Sequence, residues 1–262
     1  MKLQYNITLL FSLLIQLLLT INAGDSVGNL CSEPISQNST VSSNINSLLS
    51  QLVSKASSSR YAATSSGKGS DKLYGLAQCR SDVSGADCSD CLKDAAKKIL
   101  QQCPNKANAR IWYDYCFLRY QKDNFIGKLD NSYALFLINV ENVTDVSPEV
   151  FNKTLGNLMD GIKSEAVGSK NQRIGKDQTK LSPFNTLYGL VQCTRDLADL
   201  DCAQCLAIAV GNFPNFCNYR KGCRGFYSNC YVRYELYPFF FPLDSTGSSS
   251  SSFATQRVVV RA

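Results

Sequence analysis

Twelve cysteines are the residues of this chain best suited to chemistry, and no histidine accompanies them. They fall into two sets of six: Cys31, Cys79, Cys88, Cys91, Cys103 and Cys116, then Cys193, Cys202, Cys205, Cys217, Cys223 and Cys230. A thiolate is both a metal ligand and a redox nucleophile, and Cys88/Cys91 and Cys202/Cys205 have the CxxC spacing used for zinc and for thioredoxin-like redox chemistry. Three features weigh against both: a secretory start, the missing imidazole and an even count, which in a secreted chain reads as disulfides. The missing histidine also removes Ser-His-Asp and Cys-His nucleophilic pairs. No cofactor, no metal and no enzymatic activity are therefore expected.

Other chemistry-bearing groups have simpler readings. The acidic stretch Asp196 to Asp201 lacks the ligand spacing of a calcium loop and reads as a turn followed by a helix start. Trp112, Tyr113, Tyr115 and the run from Tyr237 to Phe241 could form a sugar-stacking or partner surface, but aromatics in β-rich runs usually belong to the core. Asn38, Asn142 and Asn152 open Asn-x-Ser/Thr sequons and are expected N-glycan sites on exposed segments.

The elements that must hold these groups follow a leader. Residues 1–23 combine Lys2, an apolar run from Leu9 to Leu19 and small residues ending at Ala23, the pattern of a signal peptide cleaved after Ala23. The run is shorter than the roughly 20 residues of a membrane span, and no later stretch matches it, so no span is expected in the mature chain. Removing 23 of 262 residues leaves 239, enough for two domains, with a formal charge of +5 once Lys2 is gone from +6. That charge is too mild and dispersed to imply nucleic acid.

A repeat organises the rest. Leu73–Leu92 matches Leu187–Leu206 at 11 of 20 positions, an offset of 114 residues, and the same offset relates Arg110 to Arg224 and Tyr115–Gln121 to Asn229–Glu235. Each copy opens with leucines at helical spacing, near Ser43 and near Phe151, and a second helix is expected just past each CxxC, with Asp87 and Asp201 at its start. β-rich runs fill the remainder, including Leu73–Cys79, Arg110–Tyr120 and Ser132–Val140 in copy one. The pattern predicts α+β modules with antiparallel sheets. The expected boundaries are 27–139 for module one, 145–241 for module two and a Ser-rich disordered tail over 242–262.

The spacing C-x8-C-x2-C, present twice with LYGL and C-x2-RY, resembles that of the plant cysteine-rich repeat secretory proteins. Their repeat is the ginkbilobin-like extracellular module, also found in cysteine-rich receptor-like kinases and plasmodesmata-located proteins, and the likeness covers residues 27–241. The resemblance implies two helices on a five-stranded antiparallel sheet in each module, and the bridges Cys31–Cys103, Cys79–Cys88 and Cys91–Cys116. Copy two keeps Cys193–Cys202 and Cys205–Cys230. It has no cysteine opposite Cys31, a position expected near Glu141 or Asn142, so Cys217 is paired with the extra Cys223.

The resemblance also implies a mannose-type site made of Asn, Arg and Glu. At those places copy one has Ser32, Arg110 and Gln121, whereas copy two has Arg224 and Glu235 without the Asn. In one regular strand Arg224 and Glu235 would face opposite sides, and they converge only if the strand twists, bulges or starts after Arg224. The expected function is non-enzymatic recognition of a carbohydrate or protein partner in the apoplast, in defence against fungi or in stress response. The alternative is a structural or adhesive wall protein that associates with copies of itself, other cysteine-rich repeat proteins or membrane-bound relatives.

Overall fold

The computed structural model describes residues 25–36, 39–168, 172–242 and 255–261. The expected leader and Asn38 lie outside them.

Each half builds helices where apolar spacing and caps agree. Helix α1, Thr40–Ser59, starts at Ser39, whose hydroxyl accepts from the Ser42 amide at 3.2 Å, and buries Ile45, Leu48, Leu49, Leu52 and Ala56 along one face. Leu48 and Leu52 are wholly buried, each contributing about 1.5–3 kcal/mol. Helix α2, Gly85–Gln102, is capped by Ser84, which accepts from the Asp87 amide at 3.0 Å, so Asp87 is a first-turn acid beside the helix dipole. In the second half α3, Pro148–Val167, is capped by Ser147 with Pro148 at its first turn. Helix α4, Asp199–Gly211, has no side-chain cap but carries Asp199 and Asp201 in its first turn, and a single turn α5, Phe213–Phe216, follows.

Two antiparallel sheets carry these helices. The first contains β1 (Gly28–Pro34), β2 (Tyr61–Ser66), β3 (Leu73–Cys79), β4 (Lys106–Trp112) and β5 (Cys116–Gln121), in the order β1-β4-β5-β3-β2. The second contains β6 (Tyr133–Asn139), β7 (Ile174–Lys180), β8 (Thr186–Cys193), β9 (Gly222–Tyr227), β10 (Cys230–Glu235) and β11 (Thr255–Arg261), in the order β11-β6-β9-β10-β8-β7. Alternate residues of each sheet join its own helices in a core, with Ala109, Ile111, Leu118 and Tyr120 in the first and Phe136, Val191, Val232 and Tyr234 in the second. The opposite faces meet in a third cluster around Trp112, Tyr133, Leu135 and Phe226. The layers therefore run helix, sheet, sheet, helix.

Two expected boundaries change. Tyr133–Asn139, assigned to module one because it follows the repeat's last motif, pairs with β9 and opens the second sheet, because β6 covers the β9 edge as β1 covers that of β4. The tail is not wholly disordered: Thr255–Arg261 pairs along β6 over seven residues, where Val258 and Val260 reach the second core. Positions 243–254 lie outside the described residues.

All twelve cysteines are bridged, in the six pairs expected. Register explains the one departure between copies. Arg110 pairs with Leu30 and Arg224 with Leu137, so the position equivalent to Cys31 is Ile138, not Glu141 or Asn142. Cys31 faces Ala109, and Ile138 faces Cys223, so the cysteine has moved across one strand pair and still reaches the sulfur that follows the second helix. The Cα separations are alike, 5.5 Å for Cys31–Cys103 and 6.0 Å for Cys217–Cys223.

The sequence separations are 72 and 6, which in the chain-entropy picture correspond to about 4 and about 2 kcal/mol. Moving the cysteine back, with Ile138→Cys and Cys223→Ala together, should restore a copy-one bridge to Cys217. Thiol titration should then find no free sulfhydryl, and the unfolding midpoint should match or exceed the parent's. Two titratable thiols would refute the equivalence of Cys31 and Ile138.

Candidate functional site between the two sheets

The chain's reciprocal contacts gather where the two sheets face each other. Gln78 on β3 donates to the Cys193 carbonyl at 2.8 Å and accepts from the Arg195 amide at 2.9 Å. Its repeat partner Gln192 on β8 donates to the Cys79 carbonyl at 3.1 Å and accepts from the Ser81 amide at 3.0 Å. The Gly127 amide donates to Asp196 and the Phe241 amide to Asp82, each at 2.8 Å, again an exchange between positions 114 apart. Trp112 donates its indole N–H to the Tyr227 carbonyl at 2.9 Å, so it is core between sheets rather than a sugar platform.

The expected site residues Arg110 and Arg224 occupy equivalent places here, opposite Arg119 and Arg233 in the register. Arg110 Nη1 donates to Asp130 Oδ2 at 2.8 Å and to the Ser228 hydroxyl. Arg224 Nη1 donates to Asp114 at 2.7 Å, and Asp114 is the repeat equivalent of Ser228. Each β4 or β9 arginine therefore crosses to the other module. Arg119 lies over the Phe125 ring at 4.2 Å and Arg233 over Phe239 at 4.1 Å, a cation–π pair repeated at the same offset.

The copies differ in their acids. Glu235 Oε1 accepts from Arg224 Nε at 3.2 Å and from Arg233 Nε at 3.0 Å, while both arginines also reach the Tyr237 hydroxyl, at 3.3 and 2.9 Å. Arg224 and Glu235 converge because a turn separates β9 from β10: Arg224 faces Arg233, and Glu235 lies two residues further on the same side. The carboxylate also needs Gly222, since a Cβ there would stand 1.8 Å from Oε2. Copy one has Asn108 and Gln121 at these two places. Gln121 accepts from Arg119 at 2.7 Å without supplying charge, and Asp130 takes that role, 2.8 Å from Arg110 and 2.9 Å from Arg119. Ser32 is exposed on β1 opposite Asn108, on the same sheet face as Arg110 and Gln121 but two residues along from Arg110's partner Leu30.

Charge follows this geometry. Burial opposes ionisation of Asp130, but the Ser132 hydroxyl, Arg110 and Arg119 outweigh it and pull the carboxyl down to about 2. Asp114 is likewise lowered: burial opposes, and Arg224, Arg233 and Arg80 prevail. Arg119 falls to about 10, mainly through burial and then through the like charge of Arg110, and stays cationic at neutral pH. Among the described residues no group of three or more His, Cys, Asp or Glu could hold a metal ion.

The sequence marks Tyr237 only as part of an aromatic run, and it does not mark Asp114, Asp130, Arg119 or Arg233 as site residues. The offset of 114 could have flagged Arg119 with Arg233, but nothing local marks Asp114 or Asp130 as their partners. The other expected positions stand apart: Asn142 and Asn152 are exposed, Asn142 beside β6 and Asn152 on α3.

Residues 30–123 and 139–237 match the protein family described as salt stress response/antifungal. Cysteine-rich repeat secretory protein 55 of Arabidopsis thaliana is 54% identical over 91% of this chain and 92% of its own length. An antimicrobial ginkbilobin-2-like protein of Castanea crenata is 38% identical over 89% of this chain and 96% of its own. Among solved structures, the tandem DUF26 ectodomain of the Arabidopsis thaliana cysteine-rich receptor-like protein PDLP8 superposes with a TM-score of 0.67. It is 28% identical, covering 80% of this chain and 97% of that one.

Asp130 gives a test of the charge network. A carboxyl whose folded pKa lies below its unfolded value near 3.8 adds stability that is complete above the unfolded value and lost as pH falls toward about 2. Asp130→Asn should cost roughly 3 kcal/mol at neutral pH by stranding two buried arginines. Urea unfolding at pH 6, 4 and 2.5 should show the gap between parent and variant narrowing over the lowest step. A gap that stays constant or widens would contradict the pairing.

Proposed function

We propose, from the premise that this chain belongs to the salt stress response/antifungal family, that it is an extracellular recognition protein without catalysis whose ligand is a mannose-type carbohydrate. The contact is assigned to the second module's cluster of Arg224, Glu235 and Tyr237. The observation that carries this reading is the cluster's convergence beside a partly open rim. Arg224 is 18% exposed and its partner Asp114 37%, against 7% for Arg110. Guanidinium, carboxylate and phenol together both donate to and accept from neighbouring sugar hydroxyls. The acids at the face, Asp114 and Asp130, are held ionised by arginines, which suits them to accepting hydrogen bonds and not to delivering protons. No helix among the described residues is long and apolar enough to cross a membrane, and complete cysteine pairing fits an oxidising extracellular setting.

Calorimetry with mannose tests this. Weak binding is expected in the parent and in Arg110→Ala, with at least a tenfold loss in Arg224→Ala and in the milder Arg224→Lys, since a hydrogen bond to a charged group contributes about 1.5–3 kcal/mol. Thermal melts of each variant separate loss of the site from loss of fold. A larger loss from Arg110→Ala would move the site to copy one, and no binding by the parent would end the sugar reading.

A second reading, association with a protein partner, is favoured by one loop. Asp145 accepts from the Ser182 hydroxyl at 2.5 Å and from the Asn185 amide at 2.6 Å, and the loop so held presents Phe184 at 91% exposure. Fixed apolar side chains of this kind anchor interfaces. Phe184→Ser should abolish co-elution with a relative's tandem ectodomain if that reading holds, and unchanged co-elution would discard Phe184 as its anchor.

A further inference from the structure

On the outer, helical side of the second module lies an apolar groove of about 260 Å³ between α3 and α5. Its origin is one residue. Pro214 stands where copy one has Leu100, and its missing N–H breaks the helical hydrogen-bond ladder, so α4 stops after 13 residues and the single turn α5 follows after Asn212, whereas α2 runs unbroken for 18. Gly156 forms part of the groove's wall, where an added Cβ would meet nothing within 4 Å. A mid-helix glycine costs about 0.5–1 kcal/mol relative to alanine, and packing here does not require one. Phe213, only 4% exposed, and the half-buried Tyr219 are among the residues lining the groove, and Tyr219 is held by its hydroxyl donating to the Val146 carbonyl. Asn218 on the lining is exposed and polar.

Asn152, also on the lining and exposed, is the acceptor of the sequon Asn152-Lys153-Thr154. We propose that Asn152 is glycosylated and that its glycan occupies this groove, the first N-acetylglucosamine lying against Phe213 and Tyr219 and hydrogen-bonding Asn218. The attachment is a group transfer from a polyisoprenyl-diphosphate oligosaccharide. The Asn152 amide nitrogen bonds to the anomeric carbon, the carbon–oxygen bond to the diphosphate breaks, and the amide loses a proton. The fit is chemical: the apolar C–H face of a hexosamine suits aromatic rings, its hydroxyl edge suits an amide, and the volume lies just below the ~300 Å³ lower range of ligand pockets, room for one or two sugars. Thr154 donates its hydroxyl to the Val150 carbonyl at 2.8 Å and is not on the lining, so it completes the sequon without shaping the groove.

Thr154 and Gly156 permit a test independent of any recognition of free mannose. The full chain is secreted with high-mannose glycans, and three forms are compared: intact, trimmed by endoglycosidase to one N-acetylglucosamine, and Thr154→Ala. Mass spectrometry should find Asn152 occupied, and both glycosylated forms should melt a few degrees above Thr154→Ala. The acetyl methyl of the retained sugar should show nuclear Overhauser contacts to the Phe213 or Tyr219 ring. Gly156→Leu, which fills the groove and keeps the sequon, should lose those contacts and the melting advantage. Should that variant fail to fold, the contacts in the trimmed parent decide alone. An unoccupied Asn152, or a glycan without ring contacts whose removal leaves the melt unchanged, would overturn the proposal.

Discussion

An antiparallel sheet with helices on one side leaves its other side to be covered, and in this protein each module's bare face is covered by the other's. The contact is reciprocal because both faces descend from one sequence: Gln78 meets the Cys193 carbonyl as Gln192 meets that of Cys79. Such a contact has the self-complementarity of a two-fold dimer, realised within one chain. Apolar area between the sheets centres on Trp112, Tyr133, Leu135 and Phe226, and most of the remaining side chains there are polar. Buried glutamines and arginines are costly unless paired, so the register of one sheet on the other is fixed by which partners they can find.

That constraint shapes the charge pattern. In each module a pair of arginines faces inward on adjacent strands, and two cations so close need acids. The second module supplies Glu235 and borrows Asp114 from the first, while the first relies on Asp130 and reaches Ser228 where the second reaches a carboxylate. The exchange of Glu235 for Gln121 goes with Gly222 for Asn108, since the carboxylate sits where a Cβ would be. The duplicated sites have thus diverged together with their neighbours. The second module's Arg224–Asp114 pair is the more open, 18% and 37% exposed against 7% and 18% for Arg110–Asp130, and this asymmetry is why recognition is assigned to the second module.

The cysteines show the same logic of compensation. A bridge from the end of the second helix to the sheet is kept in both modules, although the sheet cysteine is on the edge strand β1 in one and on the interior strand β9 in the other. What persists is the pair of facing positions, Cys31 with Ala109 and Ile138 with Cys223, either of which lies within reach of the helix end. The cost of exchanging a long closed loop for a short one falls on the unfolded state.

By itself the sequence determined what is local or repeated. Helical spacing of leucines, acids at helix starts, the 114-residue offset and the cysteine sets state their meaning within a few residues or by comparing the copies, so the α+β modules were legible. The six bridges were legible too, once the resemblance had been noticed. Only the tertiary structure decided what depends on strands meeting across long separations. It assigned Tyr133–Asn139 to the second sheet, set Thr255–Arg261 against it, and brought Arg224 onto the side of Glu235 through a turn that strand parity cannot foresee. It also chose the arginines' partners, because Asp114 and Ser228 become neighbours of Arg224 and Arg110 only when one sheet lies on the other. A side chain's spacing along the chain records which face it takes, but what covers that face is settled by the packing of the whole.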